Sequence, residues 1–148
     1  MAGSTLNPYL SFQGNTREAM EFYHSIFGGD LNVQTVGESP MESPPEAADS
    51  VMHAQLSAGA ITIMAADAQH GMQVNFGNSV NLSLVGEDEA ELKSWFDALG
   101  AGGQVSLPLE KQFWGDTFGM LTDKFGINWM VNVVSAENAE AFAASQSG

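Results

Sequence analysis

Leu10-Ser11-Phe12-Gln13-Gly14 and, 72 residues further on, Leu82-Ser83-Leu84-Val85-Gly86 decide the fold when laid on one another. The same offset sets Met20 on Leu92, Tyr23 on Trp95, Phe27 on Leu99 and Gly28 on Gly100. These residue types are common, but the apolar positions and the terminal glycine agree in role as well as in kind. The offset is close to half of the 148 residues. A repeat of that length marks a duplicated unit and fixes the architecture before any single element is assigned.

Each half opens with a short strand, Tyr9 to Phe12 or Asn81 to Val85, in which apolar and polar residues roughly alternate. A helix follows. In the first half Asn15 is placed to cap it, with Glu18 three residues on, and Ala19, Met20, Tyr23, Ile26 and Phe27 recur at helical spacing. Gly28-Gly29 is expected to end it in the left-handed conformation. The second helix is expected from about Asp88 to Leu99, with Leu92, Trp95, Phe96 and Leu99 inward and Gly100 as its stop. Strands then follow at Leu31 to Val36, Val51 to Leu56 and Ile61 to Met64, and again at Gln104 to Leu107, Thr117 to Leu121 and Ile127 to Val134. The order is βαβββ twice, an α+β fold of paired modules. Ser57-Ala58-Gly59-Ala60 and Asp123-Lys124-Phe125-Gly126 suit the last hairpin of each half. The acidic, proline-rich run Gly37 to Glu46 reads as a mobile loop. The whole is expected to be one domain: a first module at about 5–66, a connector at about 67–78, a second module at about 79–134 and a helical tail at about 135–148.

Composition narrows the function. With no cysteine, thiolate catalysis, disulfides and cysteine zinc sites are excluded, and a cytoplasmic setting suits the chain. Asp and Glu number 18 against four Lys and Arg, a formal charge of -14, so nucleic acid and anionic membrane surfaces are not expected partners. Neither a signal peptide nor a bilayer-spanning apolar run is legible.

Several separated motifs carry a resemblance. They are Asn7-Pro8-Tyr9-Leu10-Ser11-Phe12, the helix Arg17-Glu18-Ala19-Met20-Glu21-Phe22-Tyr23 ending in Phe27-Gly28-Gly29, and Val51-Met52-His53-Ala54-Gln55-Leu56. To these are added Phe113-Trp114-Gly115-Asp116 and Asp123-Lys124-Phe125-Gly126-Ile127-Asn128-Trp129. In this order, over about residues 5 to 134, they resemble the PhnB-like branch of the vicinal oxygen chelate superfamily, which includes glyoxalase I, bleomycin-resistance proteins and extradiol dioxygenases. The resemblance implies paired βαβββ modules curled into an open cup, commonly completed by a second subunit, so a homodimer is expected. Some relatives carry a methyltransferase label, but no glycine-rich loop follows a first Rossmann strand here to support S-adenosylmethionine binding. Members that use a metal place His or Glu on the first and last strands of the modules. Here those positions hold Asn7, Pro8, Tyr9, Val80, Asn81, Ile61 to Met64, Asn128, Trp129, Met130 and Val131, poor ligands for a divalent transition ion. No metal and no cofactor are expected.

The candidate residues each have a structural alternative. Alternation along Val51 to Leu56 puts Val51, His53 and Gln55 on one face, where His53 and Gln55 would orient a ligand or shuttle a proton; a buried, hydrogen-bonded structural histidine is the competing reading. His24 and His70 are expected to face solvent. Trp114 and Trp129 either wall the cavity or fill the core. Asp116 and Asp123 suit turn hydrogen bonds better than catalysis. Met52, Met64, Met72, Met120 and Met130 are expected to fill the interior with adaptable apolar surface.

These readings converge on a metal-free protein that holds a small, largely apolar molecule in a cup lined by His53, Gln55, Trp114 and Trp129, with or without turnover. Two alternatives stay open: a metal-dependent lyase, isomerase or dioxygenase, and a sequestering protein that holds its ligand unchanged.

Overall fold

A computed structural model describes residues 3–38, 48–68 and 72–147. The expected mobile loop falls largely on 39–47, and His70 on 69–71, both outside the described residues. The chain divides into two compact units, Met1–Asn75 and Phe76–Gly148.

The first unit runs β1 (Tyr9–Phe12), α1 (Thr16–Phe27), β2 (Asp30–Thr35), β3 (Val51–Ala58) and β4 (Ile61–Asp67). Its four strands form one sheet in the order β1-β4-β3-β2. β1 runs parallel to β4, while the other neighbours are antiparallel. The single crossover helix α1 covers one face: Ala19, Met20 and Tyr23 are fully buried on Phe12, Ala54, Leu56, Ile63 and Ala65. The other face carries Tyr9, Ser11, Met64, Gln55 and Asn32, which are exposed or half-buried.

The second unit repeats the plan with β5 (Leu82–Gly86), α2 (Glu89–Gly100), β6 (Gln104–Lys111), β7 (Thr117–Thr122) and β8 (Asn128–Val133), followed by α3 (Ala139–Ser147). Its sheet order is β5-β8-β7-β6, with β5 parallel to β8. Leu92, Phe96 and Leu99 of α2 pack over Leu84, Leu121, Trp129, Val131 and Val133. The fold is therefore α+β, two open four-stranded mixed sheets built from two βαβββ modules. Leu10 and Phe12 share the helix side of β1 as Leu82 and Leu84 share that of β5, so the 72-residue offset holds through the first strand and helix.

Several local expectations are corrected. Asn15 stands at the N-cap of α1 without a side-chain cap bond. Instead Asp67 reaches over from β4, its Oδ1 accepting from Gly14 N–H at 3.1 Å, Thr16 N–H at 3.1 Å and the Thr16 hydroxyl at 2.7 Å. A carboxylate there satisfies the free donors of the helix start and suits its dipole. Asp67 also accepts from Val51 N–H at 2.9 Å, and β4 extends three residues past Met64, so Asp67 belongs to the sheet, not the connector. At the end of α2 the left-handed residue is Gly102, φ 77°, not Gly100. The end of α1 does use Gly28 and Gly29, at φ 73° and 80°. Trp95 is only half-buried, and Met72 is exposed in the segment after β4 instead of filling the interior.

Candidate functional site

On the open face of the first sheet, alternation brings chemically active side chains into rows across the strands. Register aligns Tyr9 with Met64, Met64 with Gln55 and Gln55 with Asn32. One row along, His53 lies opposite Gln34. His53 and Tyr9 meet: the phenolic oxygen lies 3.2 Å from His53 Nδ1, and the rings are 5.8 Å apart at 39°. Tyr9 is 52% exposed and His53 half-buried, so the pair is open on one side. Gln55 donates from Nε2 to Ser57 Oγ at 3.3 Å and keeps its carbonyl oxygen for other use. The half-buried Met64 and Ala66 supply an apolar floor beside them.

Val51 does not share this face. Thr35 pairs with Val51 and Gln34 with His53, leaving Met52 as the extra residue of a β-bulge. The bulge reverses the alternation at its N-terminal side, and Val51 turns inward at 3% exposure beside the buried Ala54 and Leu56. His53 and Gln55 remain outward together, as their spacing anticipates.

The two tryptophans separate. Trp129 belongs to the helix side of β8, in phase with Val131 and Val133, and is 2% exposed. Its indole N–H donates to Asp123 Oδ2 at 2.8 Å, so its polar edge is satisfied within the core. Trp114 lies in the turn between β6 and β7, 43% exposed, edge-on to Phe113 and to Phe118 at 5.0 and 6.0 Å between ring centres. Phe118, Met120 and Met130 are half-buried on the open side of the second sheet. That unit therefore offers an aromatic and thioether surface with Trp114 at its end.

Two carboxylates that look reactive are structural staples. Asp123 Oδ1 accepts from Phe125 and Ile127 N–H at 2.8 and 3.1 Å, closing the β7–β8 hairpin. Asp116 accepts from Ser135 N–H at 2.8 Å and from the Asn132 and Asn138 amides at 3.0 and 2.9 Å. The Asn132 and Asn138 amides and the Ser135 N–H hold its pKa at about 2, below the ordinary 3.8, against a smaller opposing effect of burial. Neither is available as a base. His24, expected in solvent, is half-buried and joins its Nε2 to the Gly29 carbonyl at 3.0 Å, fastening the end of α1.

A divalent ion asks for converging imidazoles and carboxylates. Among the described residues no three His, Asp or Glu side chains gather in that way. The open face of the first sheet offers one imidazole, a phenol, a thioether and the amides of Asn32, Gln34 and Gln55, a donor set that does not fit the metal of the superfamily.

Tyr9 was not singled out by the sequence as a partner of His53, because 44 residues separate them. The parallel β1–β4 pairing that a βαβββ order implies is the signal that connects them.

Residues 4–132 match the family model described as 3-demethylubiquinone-9 3-methyltransferase. The chain is 32% identical over 143 residues to Protein YjdN of Escherichia coli (strain K12), covering 89% of this chain and 97% of that protein. It is similar to the crystal structure of protein PA1353 from Pseudomonas aeruginosa, with a TM-score of 0.80 and 39% identity over 88% of this chain and 98% of that one. A Bacillus cereus structure described as a putative 3-demethylubiquinone-9 3-methyltransferase, PhnB protein, is similar at a TM-score of 0.72 and 25% identity, covering 88% of this chain and all of that one, 100%.

Proposed function

The chain belongs to the PhnB-like family of the vicinal oxygen chelate superfamily, and from that premise we propose that it binds a small, largely apolar molecule, without a metal ion, on the open face of its first sheet. One observation carries the reading: a hydrogen-bonded Tyr9–His53 pair stands half-open beside Met64 and Gln55. A mostly apolar surface with a few convergent polar groups is the usual makeup of a small-molecule site. His53 and Gln55 orient the ligand, and Met64 adapts to its shape. Trp114, with Phe118, gives the second unit an apolar surface suited to the same class of molecule. Trp129 is left to the core.

Methyl transfer, which the family description names, is not part of this reading. The backbone donors at the start of α1, where a cofactor's carboxylate or phosphate would be held, are occupied by Asp67. A metal-dependent reaction is likewise not followed, since the donor set does not suit the ion.

His53→Ala tests the proposal. The variant is expected to keep the wild-type circular dichroism and melting temperature within about 2 °C while losing roughly tenfold or more in affinity for an apolar ligand such as acetophenone, from the loss of one hydrogen bond and some packing. Unchanged affinity in a folded variant would remove His53 from the site. Recovery of unaltered ligand after long incubation would favour holding over turnover.

A further inference from the structure

A histidine in a binding face acts differently according to which ring nitrogen carries the proton, and that choice is set by the hydrogen bond made at the other nitrogen. His53 Nδ1 lies 3.2 Å from the Tyr9 hydroxyl. Among the described residues neither the Tyr9 oxygen nor His53 Nε2 has a further hydrogen-bond partner. A phenol O–H is a stronger acid than a neutral imidazole N–H, and a pyridine-type imidazole nitrogen is a better acceptor than a phenolic oxygen. The hydroxyl therefore donates, Nδ1 accepts, and the imidazole proton is left on Nε2.

We propose that Tyr9 is a positioning residue that fixes His53 in the tautomer protonated on Nε2, so that the open face presents an N–H donor to a ligand bearing a carbonyl or similar acceptor oxygen on an apolar body. This rests on the small-molecule reading of that face and adds the ligand class to it. The side chains beside His53 are uncharged. Gln34 lies opposite on β2, Gln55 is the next outward residue of β3, and Met64 lies beside Tyr9. His53 Nε2–H donates to the ligand's carbonyl oxygen while the ligand's apolar body rests on Met64 and the Tyr9 ring.

The test uses the full chain at about pH 8, with ¹⁵N-labelled imidazoles. Two-bond correlation spectra are expected to show His53 protonated on Nε2 in the wild type and a mixture of both tautomers in Tyr9→Phe. Acetophenone and α-methylstyrene, which share a shape and differ by one acceptor oxygen, are then titrated. Acetophenone is expected to bind about fivefold or more tightly than α-methylstyrene in the wild type, and in Tyr9→Phe the ratio between the two is expected to fall by the share of His53 that leaves the Nε2-protonated form. Protonation of wild-type His53 on Nδ1, a Tyr9→Phe spectrum identical to the wild type, or equal affinity for the two compounds would each overturn the proposal. Silence from both compounds at every open-face residue would overturn the binding reading and the ligand class with it, leaving the nitrogen shifts to judge the tautomer separately.

Discussion

Asp116 accepts three hydrogen bonds, and each is stronger with the carboxylate ionised. Because its folded pKa, about 2, is below the ordinary 3.8, it contributes stability that is full above the ordinary value and is lost as pH falls toward about 2. Asp116→Asn is therefore expected to lower stability by about 1–2 kcal/mol at pH 6, and thermal melts should show the gap to wild type closing between about pH 4 and pH 2. A gap that stays constant across that range would assign the loss to shape, not charge. At this scale the sequence was readable where the signal is local. Asp123 opens a hairpin four residues before Ile127 and bonds as such a residue does. The outward pairing of His53 with Gln55 needs only their spacing of two. Trp129 also carried a local signal, since Trp129, Val131 and Val133 form one wholly apolar face while Asn128, Met130 and Asn132 form the other. Asp67 carried none, because its partners Gly14 and Thr16 lie more than fifty residues away.

Among the elements, α1 and α2 were legible from the 3.6-residue spacing of their buried side chains, and the strands from alternation. The β-bulge at Met52 was not, because a bulge is a property of two paired strands and alternation describes one. The same holds for close approach between layers. Gly119 of β7 faces α2, and a Cβ there would lie 2.8 Å from Phe96 Cε2 and 2.9 Å from the Leu109 Cα. The Leu109 backbone yields less readily than a side-chain tip. Gly119→Ala is expected to cost about 1–3 kcal/mol in urea denaturation, whereas Gly3→Ala, with nothing within 4 Å of the added methyl, is expected to change nothing. Equal stability of the two variants would mean that α2 sits farther from the sheet.

Across the whole molecule, duplication organises the chain more than it dictates its contacts. In the first half a carboxylate at the end of β4 clasps the start of β3, through Asp67 and Val51 N–H. In the second, the carboxylate precedes β7 and takes its donor from beyond β8, through Asp116 and Ser135 N–H. The same strand ends are tied from opposite sides, which comparing aligned positions alone does not reveal. The resemblance implies a homodimer, and Leu6, Val80 and Phe113 are 99%, 72% and 96% exposed. Sedimentation equilibrium at about 50 µM is expected to give twice the mass of one chain, and a monomer at that concentration would contradict it. With a formal charge of -14, no retention on immobilised DNA is expected at about 0.1 M salt.

The open face of the first sheet, working without a metal ion, is tested most directly by following the Met64 methyl and the His53 imidazole by NMR while acetophenone is titrated into protein stripped with EDTA. Both signals are expected to shift along one saturating curve, unaltered when Zn²⁺ or Mn²⁺ is then supplied. Signals that stay still until the metal ion is added would contradict the account.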